Sequence, residues 1–265
     1  MPRSGSTLLQ CILGNNPDIY ATATSGLLPV LSAAKEVYTN SPFFRAQDPA
    51  EMRKAFYSMC RGAMEGYFGG LTDRKHAVDK NRAWSVNRAF LNEIYPNPKI
   101  LFMVRDLREI VASMEKFHIR NPDRFDPSKD GPKYQGITAM DRVLGWLQSQ
   151  PLGVTLKMLF ETIRSGQSKN ILFIRYEDLC ENPDREMHRV YEYLQIPYCV
   201  HDFTQIAQVT HENDRFHGPY ADHAIRSRIT PVEPCAGKIL GKQVLDVICE
   251  KNSWYFNFFR YKKQK

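Results

Sequence analysis

Apolar positions along the chain fall into two kinds of segment, short continuous runs and stretches with a helical period. Residues 99–104 (KILFMV) form a nearly continuous apolar run, which is typical of a strand buried on both faces. Residues 107–117 follow directly and repeat apolar positions at helical spacing. This alternation predicts an α/β fold in which helices cover a parallel sheet. Strands are predicted at 19–22, 75–79, 99–104 and 171–174, and helices at 8–13, 25–37, 49–67, 86–95, 107–117, 138–164 with a break at Pro151, 183–194 and 238–251.

The first predicted helix follows directly on a turn of small polar residues, PRSGST at residues 2–7. The first backbone N–H groups of a helix have no partner within it, and together with the helix dipole they favour an anion. Arg3 adds a planar fork of donors, and the serine and threonine side chains add hydroxyls. The alternative is an ordinary capped helix behind a loose terminus. The turn differs from a nucleotide-triphosphatase loop, because no lysine follows Gly5 and no second glycine frames it.

Arg105 stands directly after the predicted strand 99–104, where an open parallel sheet binds its ligands. From this position its guanidinium can hold a second anion bidentately. Ser113 lies about two turns into the next helix and can add a hydroxyl. The alternative is that Arg105 forms an ion pair with Asp106 or Glu109, while Ser113 faces solvent.

A polar aromatic residue follows the predicted strand 171–174, in the stretch RYEDLCENP at residues 175–183. Tyr176 is thereby placed at the ligand edge of the sheet, where it can contact a base or a ribose. The alternative is that Tyr176 covers the end of the sheet, and that the acidic residues serve the turn and cap the next helix. Asp178 is expected to be structural.

Composition narrows the class of protein and of ligand. The chain has 265 residues, so we expect one domain spanning residues 1–265. The net charge of +7 suits an anionic ligand, and the scattered basic residues argue against a nucleic-acid partner. The six cysteines include no C-x-x-C pair, so we expect reduced thiols without disulfides or zinc. Because no run approaches the roughly 18 apolar residues of a membrane span, and residues 1–8 are occupied by the turn motif rather than a signal peptide, we expect a cytoplasmic protein.

The chain resembles the sulfotransferase family that uses 3′-phosphoadenosine 5′-phosphosulfate (PAPS) as donor. The resemblance rests on three motifs in order: P-R-S-G-S-T-L-L, V-R-D with a serine eight residues after its arginine, and R-Y-E-D-L-x-E-N-P. It extends from residue 1 to residue 197. It implies a three-layer fold related to P-loop kinases and in-line transfer of a sulfuryl group to an acceptor hydroxyl or amine. Arg3 stands where the cytosolic branch has lysine, which is closer to the tyrosylprotein and bacterial branches.

The resemblance also implies which residues bind the donor. The turn at residues 3–7 matches the loop that holds the 5′-phosphosulfate. Arg105 and Ser113 match the 3′-phosphate site, and Tyr176 matches a residue near the adenine. The predicted donor-binding residues are Arg3, Ser4, Gly5, Ser6, Thr7, Arg105, Ser113, Tyr176, Arg226 and Arg228.

Two parts of the predicted donor site rest on weaker signals. The cytosolic branch stacks the adenine on a tryptophan where this chain has Leu8, so Trp84 is a candidate for that contact. Arg226 and Arg228 match no motif. They lie in the long segment 210–234, which is rich in histidine, glycine, proline and charge, and long loops of this kind tend to be functional. We expect these two arginines to close over the donor.

The predicted catalytic residues are Arg3, Asp79 and Lys80. Arg3 and Lys80 are expected to neutralise charge on the leaving phosphate. In a carbohydrate branch of the family the general base is a glutamate just before the strand-end lysine, and Asp79 stands in that place. The alternative is that Asp79 only pairs with Lys80 or caps the next turn. His76 is read as a packed or surface histidine, and no metal is expected.

Two other functions fit parts of the pattern. A P-loop-like nucleotide kinase is disfavoured by the missing loop lysine and by the lack of a clear magnesium-binding acid after a strand. A non-catalytic, sulfotransferase-like protein that only binds an anionic partner stays open. The acceptor also stays open among peptides, carbohydrates and small molecules, with residues 25–70, 121–136 (including Lys129 and Lys133) and 210–234 expected to shape its pocket.

Both ends of the chain carry a further expectation. In this family an apolar strand leads into the phosphosulfate turn, so we expect such a strand upstream of Met1. At the other end, the aromatic segment 254–259 is expected to dock on the domain. The alternative is a membrane-surface anchor assisted by Lys262 and Lys263.

Overall fold

The computed structural model describes residues 1–125 and 138–262 of the chain. Its strands are β1 (Ile19–Thr24), β2 (His76–Lys80), β3 (Ile100–Val104) and β4 (Ile171–Arg175). Its α-helices are α1 (Ser6–Gly14), α2 (Leu27–Asn40), α3 (Pro42–Arg45), α4 (Pro49–Gly69), α5 (Arg88–Ile94), α6 (Leu107–Arg120), α7 (Ala139–Gln148), α8 (Leu152–Arg164), α9 (Tyr176–Glu181), α10 (Pro183–Leu194), α11 (Ala236–Lys251) and α12 (Ser253–Phe258). Lys129, Lys133 and Lys263 lie outside the described residues.

The strands pair in parallel, as the alternation of strands and helices predicts. β1 pairs with β2 from Ile19–His76 to Thr24–Lys80, and β3 pairs with β4 from Ile100–Ile171 to Val104–Arg175. The α/β class is therefore confirmed. Within the described ranges, however, the strands form two two-stranded sheets rather than one continuous sheet. Residues of β2 and of β3 line the same cavity instead of hydrogen-bonding to each other.

Strand β3 is buried on both faces, as its continuous apolar run predicts. Phe102 and Val104 pack into a core cluster with α6, α7 and α11, whereas Met103 packs into a second cluster with α1 and α10. Helices therefore cover both faces of the β3·β4 pair. Full burial of an apolar side chain of this size contributes about 1.5–3 kcal/mol, so this strand is a fixed platform for the residues at its end.

Several helix boundaries are set by capping residues that can be recognised in the sequence. Asp48 caps α4, because its Oδ1 accepts hydrogen bonds from the backbone N–H groups of Ala50 and Glu51 at 3.0 and 2.9 Å. Pro49 occupies the first helical position, where no N–H donor is needed. Asp106 caps α6 in the same way, accepting from the N–H of Arg108 at 2.9 Å. Such a cap stabilises a helix by about 1 kcal/mol, and α6 starts directly after Arg105 as a result.

Two segments bear on the sequence-based expectations. One differs from its prediction, and the other decides between two alternatives. Residues 176–181 form a helix, α9, where the sequence indicated a turn. The aromatic segment near the C-terminus docks on the domain, as expected, rather than standing free as a surface anchor. Within α12, Tyr255 is fully buried, and its hydroxyl donates to the backbone oxygen of Arg105 at 2.7 Å. The C-terminal helix therefore supports the candidate site from behind β3.

All six cysteines are free thiols, and three of them, Cys11, Cys60 and Cys180, are buried. In the two described ranges, no helix is both long enough and apolar enough to cross a bilayer.

Candidate active site

The N-terminus of α1 is open to a ligand. Gly5 occupies the N-cap position with φ +84°, and no side chain caps the helix. The first intrahelical bond of the turn joins the N–H of Leu9 to the oxygen of Gly5 at 3.0 Å. The N–H groups before Leu9 therefore have no acceptor within the helix, as is general for a first turn. A helix start of this kind is able to bind an anion, which is the role that the turn motif predicts for it.

Gly5 also fits closely against another predicted site residue. A Cβ atom at Gly5 would lie 2.4 Å from Cδ2 of Tyr176, closer than real side-chain contacts allow. The positive φ and this close approach both require glycine here. The turn that follows β4 and the turn that precedes α1 therefore meet directly.

Ser4 is the one predicted donor-binding residue whose side chain does not reach the cavity. The side chain is fully buried, and its hydroxyl donates to the backbone oxygen of Met1 at 2.7 Å. The amino group of Met1 in turn donates to the oxygen of Met103 in β3 at 3.3 Å. Ser4 thus closes the turn against β3 rather than presenting its hydroxyl to a ligand.

Arg3 and Arg105 lie side by side. Nη1 of Arg105 donates to the backbone oxygen of Arg3 at 3.1 Å. Nε of Arg3 donates to Oγ of Ser113 at 3.2 Å. The first and second sequence motifs are therefore joined by direct hydrogen bonds between residues more than 100 positions apart.

The alternative in which Arg105 pairs with a neighbouring acid does not hold in the structure. Asp106 is engaged by Arg108, with Nε at 2.9 Å. Glu109 accepts the N–H groups of Cys235 and Ala236 at the start of α11, both at 2.9 Å. Across residues 1–125 and 138–262, Arg105 makes no ion pair, and its buried Nε has no hydrogen-bond partner. A buried donor without a partner is costly, which favours an anionic ligand at this position.

Tyr176 forms a flat wall beside Arg105. The guanidinium carbon of Arg105 lies 4.7 Å from the centre of the tyrosine ring. Burial raises the pKa of the Tyr176 hydroxyl above its ordinary value, so this group is neutral at physiological pH. The contact of Tyr176 with a base stays a prediction, and the position of its ring in the wall of the cavity is compatible with it.

Lys80 ends β2 and points toward the turn. Its Nζ lies 3.3 Å from Oγ1 of Thr7 and 2.5 Å from Oε1 of Glu212, whose side chain is only 2% exposed. Burial alone would raise the pKa of the Glu212 carboxyl, but hydrogen bonds from Lys80 and Thr24 and the charge of Lys80 together hold it below its ordinary value. The Glu212 carboxylate is therefore ionised and pairs with the lysine.

Asp79 is held by hydrogen bonds on both carboxylate oxygens. Nε1 of Trp84 donates to Oδ2 at 2.7 Å, and the Thr22 hydroxyl lies 3.5 Å from Oδ1. Burial raises the pKa of Asp79, and these hydrogen bonds partly oppose the shift. The alternative pairing of Asp79 with Lys80 does not occur, because Lys80 pairs with Glu212. The same contacts place Trp84, the candidate for adenine stacking, against Asp79.

A single cavity of about 1520 Å³ joins these groups. Every predicted catalytic and donor-binding residue except Ser4 lines it. They are Arg3, Gly5, Ser6, Thr7, Asp79, Lys80, Arg105, Ser113, Tyr176, Arg226 and Arg228. The volume exceeds the roughly 300–1,000 Å³ of a site for one drug-sized ligand, so the cavity has room for two reactants.

The residues that sequence reasoning missed all lie in the segment 210–223. Glu212 binds Lys80, and Asp222 binds Arg3, with Oδ2 3.0 Å from Nη1. His217 and His223 line the cavity next to Glu212. The sequence marked the segment 210–234 as a functional loop, but its density of histidine and acidic residues was the only signal for these partners.

The sulfotransferase family profile matches residues 1–200, and the chain belongs to this family. The chain is similar to protein-tyrosine sulfotransferase A of Caenorhabditis elegans, with 23% identity over 203 residues that cover 75% of this chain and 49% of that protein. It is also similar to protein-tyrosine sulfotransferase 2 of Gallus gallus, with 23% identity over 205 residues that cover 75% and 50%. The chain spans about half the length of the curated relatives it matches.

Among solved structures, the sulfotransferase domain from the curacin biosynthetic pathway superposes with a TM-score of 0.49 and 17% identity, covering 95% of this chain and 94% of that domain. The resemblance inferred from the three sequence motifs is confirmed by the family match.

Proposed function

We propose that this protein transfers a sulfuryl group from PAPS to an acceptor hydroxyl or amine by in-line displacement. The observation that carries the proposal is the convergence of Arg3, Lys80 and Arg105 on the uncapped N-terminus of α1, within one cavity. A helix N-terminus with three cations beside it is suited to a ligand with several negative charges. Family membership supports the same reaction.

The residues of the cavity fit PAPS. Backbone N–H groups and hydroxyls of residues 5–7, with Arg3, would hold the 5′-phosphosulfate. Arg105, whose buried Nε lacks a partner, would hold the 3′-phosphate together with Ser113. Tyr176 would contact the adenine, with Arg226 and Arg228 closing over it. The bound donor supplies an activated sulfuryl group, and its product is adenosine 3′,5′-bisphosphate.

Catalysis then rests on fixed positive charge. Negative charge grows on the phosphate oxygen as its bond to sulfur breaks, and Arg3 and Lys80 would stabilise that charge without reorganising. The general base is a separate question. Asp79 stays the sequence-based prediction for this role, and the raised pKa of its carboxyl makes it a stronger proton acceptor than an ordinary aspartate. The absence of a metal requirement also stays a prediction.

The acceptor class is the finer part of the proposal. Two similar relatives are named protein-tyrosine sulfotransferases, which makes a peptide tyrosine the first acceptor to test. The volume of the cavity also admits a sugar or a small alcohol beside the donor. A cytoplasmic location stays a prediction.

The proposal is tested by incubating the purified protein with PAPS labelled in the sulfuryl group and a panel of acceptors. The panel contains tyrosine peptides, oligosaccharides and small alcohols, and products are read by mass spectrometry. We expect a sulfated product and retention of the protein on immobilised adenosine 3′,5′-bisphosphate, without binding of ATP. Binding of PAPS without turnover of any acceptor would support the non-catalytic alternative, and binding of ATP alone would support a kinase.

Asp222 is expected to compete with the donor for Arg3. The substitution Asp222→Asn removes the carboxylate that forms an ion pair with the Arg3 guanidinium. Partly exposed ion pairs contribute about 0.2–1 kcal/mol, so the variant should bind adenosine 3′,5′-bisphosphate about 1.4- to fivefold more tightly in a calorimetric titration. Asp18→Asn is the matched control, because Asp18 pairs with Lys75 on the surface. Equal gains in the two variants would mean that net charge, rather than release of Arg3, causes the effect.

A further inference from the structure

The segment 210–223 brings an imidazole to the cation beside the phosphosulfate turn. Glu212 lies between the two groups. Its Oε1 is 2.5 Å from Nζ of Lys80, and its Oε2 is 3.1 Å from Nε2 of His217. Because Lys80 also contacts Thr7 of the turn, a single buried carboxylate connects His217 to the site proposed for sulfuryl transfer.

His217 has the free nitrogen that a proton acceptor needs. Its Nε2 faces Glu212, whereas its Nδ1 makes no hydrogen bond within the part of the chain that the structure describes. The side chain is 30% exposed and lines the cavity, so an acceptor hydroxyl can reach it. Oε2 of Glu212 has no hydrogen-bond partner among the described residues, so the 3.1 Å contact with Nε2 is one of charge, and the carboxylate can stabilise the imidazolium that forms when His217 takes up a proton.

The neighbouring histidine lacks this property. Nδ1 of His223 lies 2.5 Å from Oδ1 of Asp214, and its Nε2 lies 3.7 Å from Oε2 of Glu212. Both ring nitrogens therefore face carboxylates. The two imidazole rings are in edge-to-face contact with their centres 5.2 Å apart, and the backbone N–H of His217 donates to the backbone oxygen of Asp214 at 3.1 Å.

Asp79 is less free than His217 to accept a proton. Its Oδ2 is occupied by the indole N–H of Trp84 at 2.7 Å, and its Oδ1 faces the hydroxyl of Thr22. These contacts tie together the ends of β1 and β2 and the short 3₁₀ turn that contains Trp84 (Arg82–Trp84). The geometry gives Asp79 a role in holding the wall of the cavity.

We propose that His217 is the general base of the reaction, in place of Asp79, and that the Glu212 carboxylate stabilises the imidazolium that forms; this rests on the proposed sulfuryl transfer. Nδ1 of His217 accepts the proton of the acceptor hydroxyl as the acceptor oxygen forms its bond to sulfur. The bond between sulfur and the phosphate oxygen breaks, and its electron pair stays on the phosphate, beside Lys80 and Arg3. His217 then releases the proton to water.

The test compares His217→Ala with Asp79→Asn and with His211→Ala as the matched control. His211 is exposed in the same segment and does not line the cavity. Loss of a general base typically lowers turnover about 100- to 10,000-fold, so we expect His217→Ala to lose kcat by that factor. Its Kd for adenosine 3′,5′-bisphosphate should be unchanged. Free imidazole should restore part of the lost kcat, which a merely structural role would not allow.

The same assay separates this assignment from the proposed function, because the wild-type protein is measured beside the variants. An inactive wild type would overturn both. Two results would overturn the assignment of His217 alone. In the first, the wild type is active and His217→Ala has an unchanged kcat. In the second, imidazole does not restore the kcat lost in His217→Ala, whereas Asp79→Asn abolishes turnover at unchanged thermal stability. His217→Gln, which keeps a polar side chain, serves as the second variant if His217→Ala melts early.

Discussion

Replacing Lys80 with glutamine is expected to lower the kcat of sulfuryl transfer by about 100- to 1000-fold, the usual effect of removing one fixed donor from a developing negative charge. Nζ of Lys80 lies 3.3 Å from Thr7, in the turn proposed to hold the phosphosulfate. Glutamine keeps a polar side chain that is one atom shorter than that of lysine and carries no charge. The measurement is the steady-state rate with saturating labelled PAPS and the best acceptor of the panel.

The design of this experiment has to separate catalysis from folding. Lys80 pairs with Glu212, whose side chain is 2% exposed, and removing one partner of a buried pair costs about 3–5 kcal/mol. Lys80→Gln should therefore melt at a lower temperature. The double variant Lys80→Gln/Glu212→Gln leaves no unpaired buried charge, so it should recover thermal stability; kcat is compared only between Lys80→Gln and the wild type, at a temperature where both are folded, because Glu212 also contacts His217.

Lys75 offers the matched control for charge. It lies just before the other end of β2, and its side chain is 71% exposed in a surface pair with Asp18. Lys75→Gln should leave kcat unchanged. A folded Lys80→Gln variant with wild-type kcat would contradict the proposed role of Lys80.

The strand ends and the turn were predictable because they depend on local pattern and on one rule of topology. Asp48 indicates the start of α4, and the apolar run 99–104 predicts β3. Parallel strands bring their carboxyl ends to one edge, so Arg105 and Tyr176, which follow the paired strands β3 and β4, had to lie close together. Lys80 ends a strand of the other pair, and tertiary packing brings it to the same cavity.

The partners of these cations were not predictable in the same way. Glu212 lies 132 positions from Lys80, in a segment without periodic apolar residues that could indicate its path. The orientation of the Ser4 side chain could not be predicted from the sequence either. Arg3 and Gly5 both adopt positive φ, +55° and +84°, and this backbone twist decides which hydroxyl faces the cavity. Such details depend on tertiary packing, which the residue types alone do not determine.

Replacing Gly5 with alanine is expected to weaken the binding of adenosine 3′,5′-bisphosphate by at least about tenfold, which corresponds to 1.4 kcal/mol. A left-handed backbone conformation costs a non-glycine residue roughly 1–2 kcal/mol. The new Cβ would also lie 2.4 Å from the ring of Tyr176, which is held in turn by Arg105. The turn or the ring must shift, and both belong to the proposed donor site. Isothermal titration and thermal melting measure the two effects.

Two other glycines separate strain from the steric clash with Tyr176. Gly166 also has a positive φ, +73°, but a Cβ there would meet no atom within 4 Å and the residue lies outside the cavity. Gly166→Ala should therefore lower the melting temperature through strain alone and leave the Kd unchanged. Gly62 lies within α4 with open space around it, so Gly62→Ala should raise stability by roughly 0.5–1 kcal/mol. Gly5→Ala could instead behave like Gly166→Ala, with lower stability but the same Kd for the nucleotide as the wild type. That result would mean that the close packing of the turn on Tyr176 has no part in binding the donor.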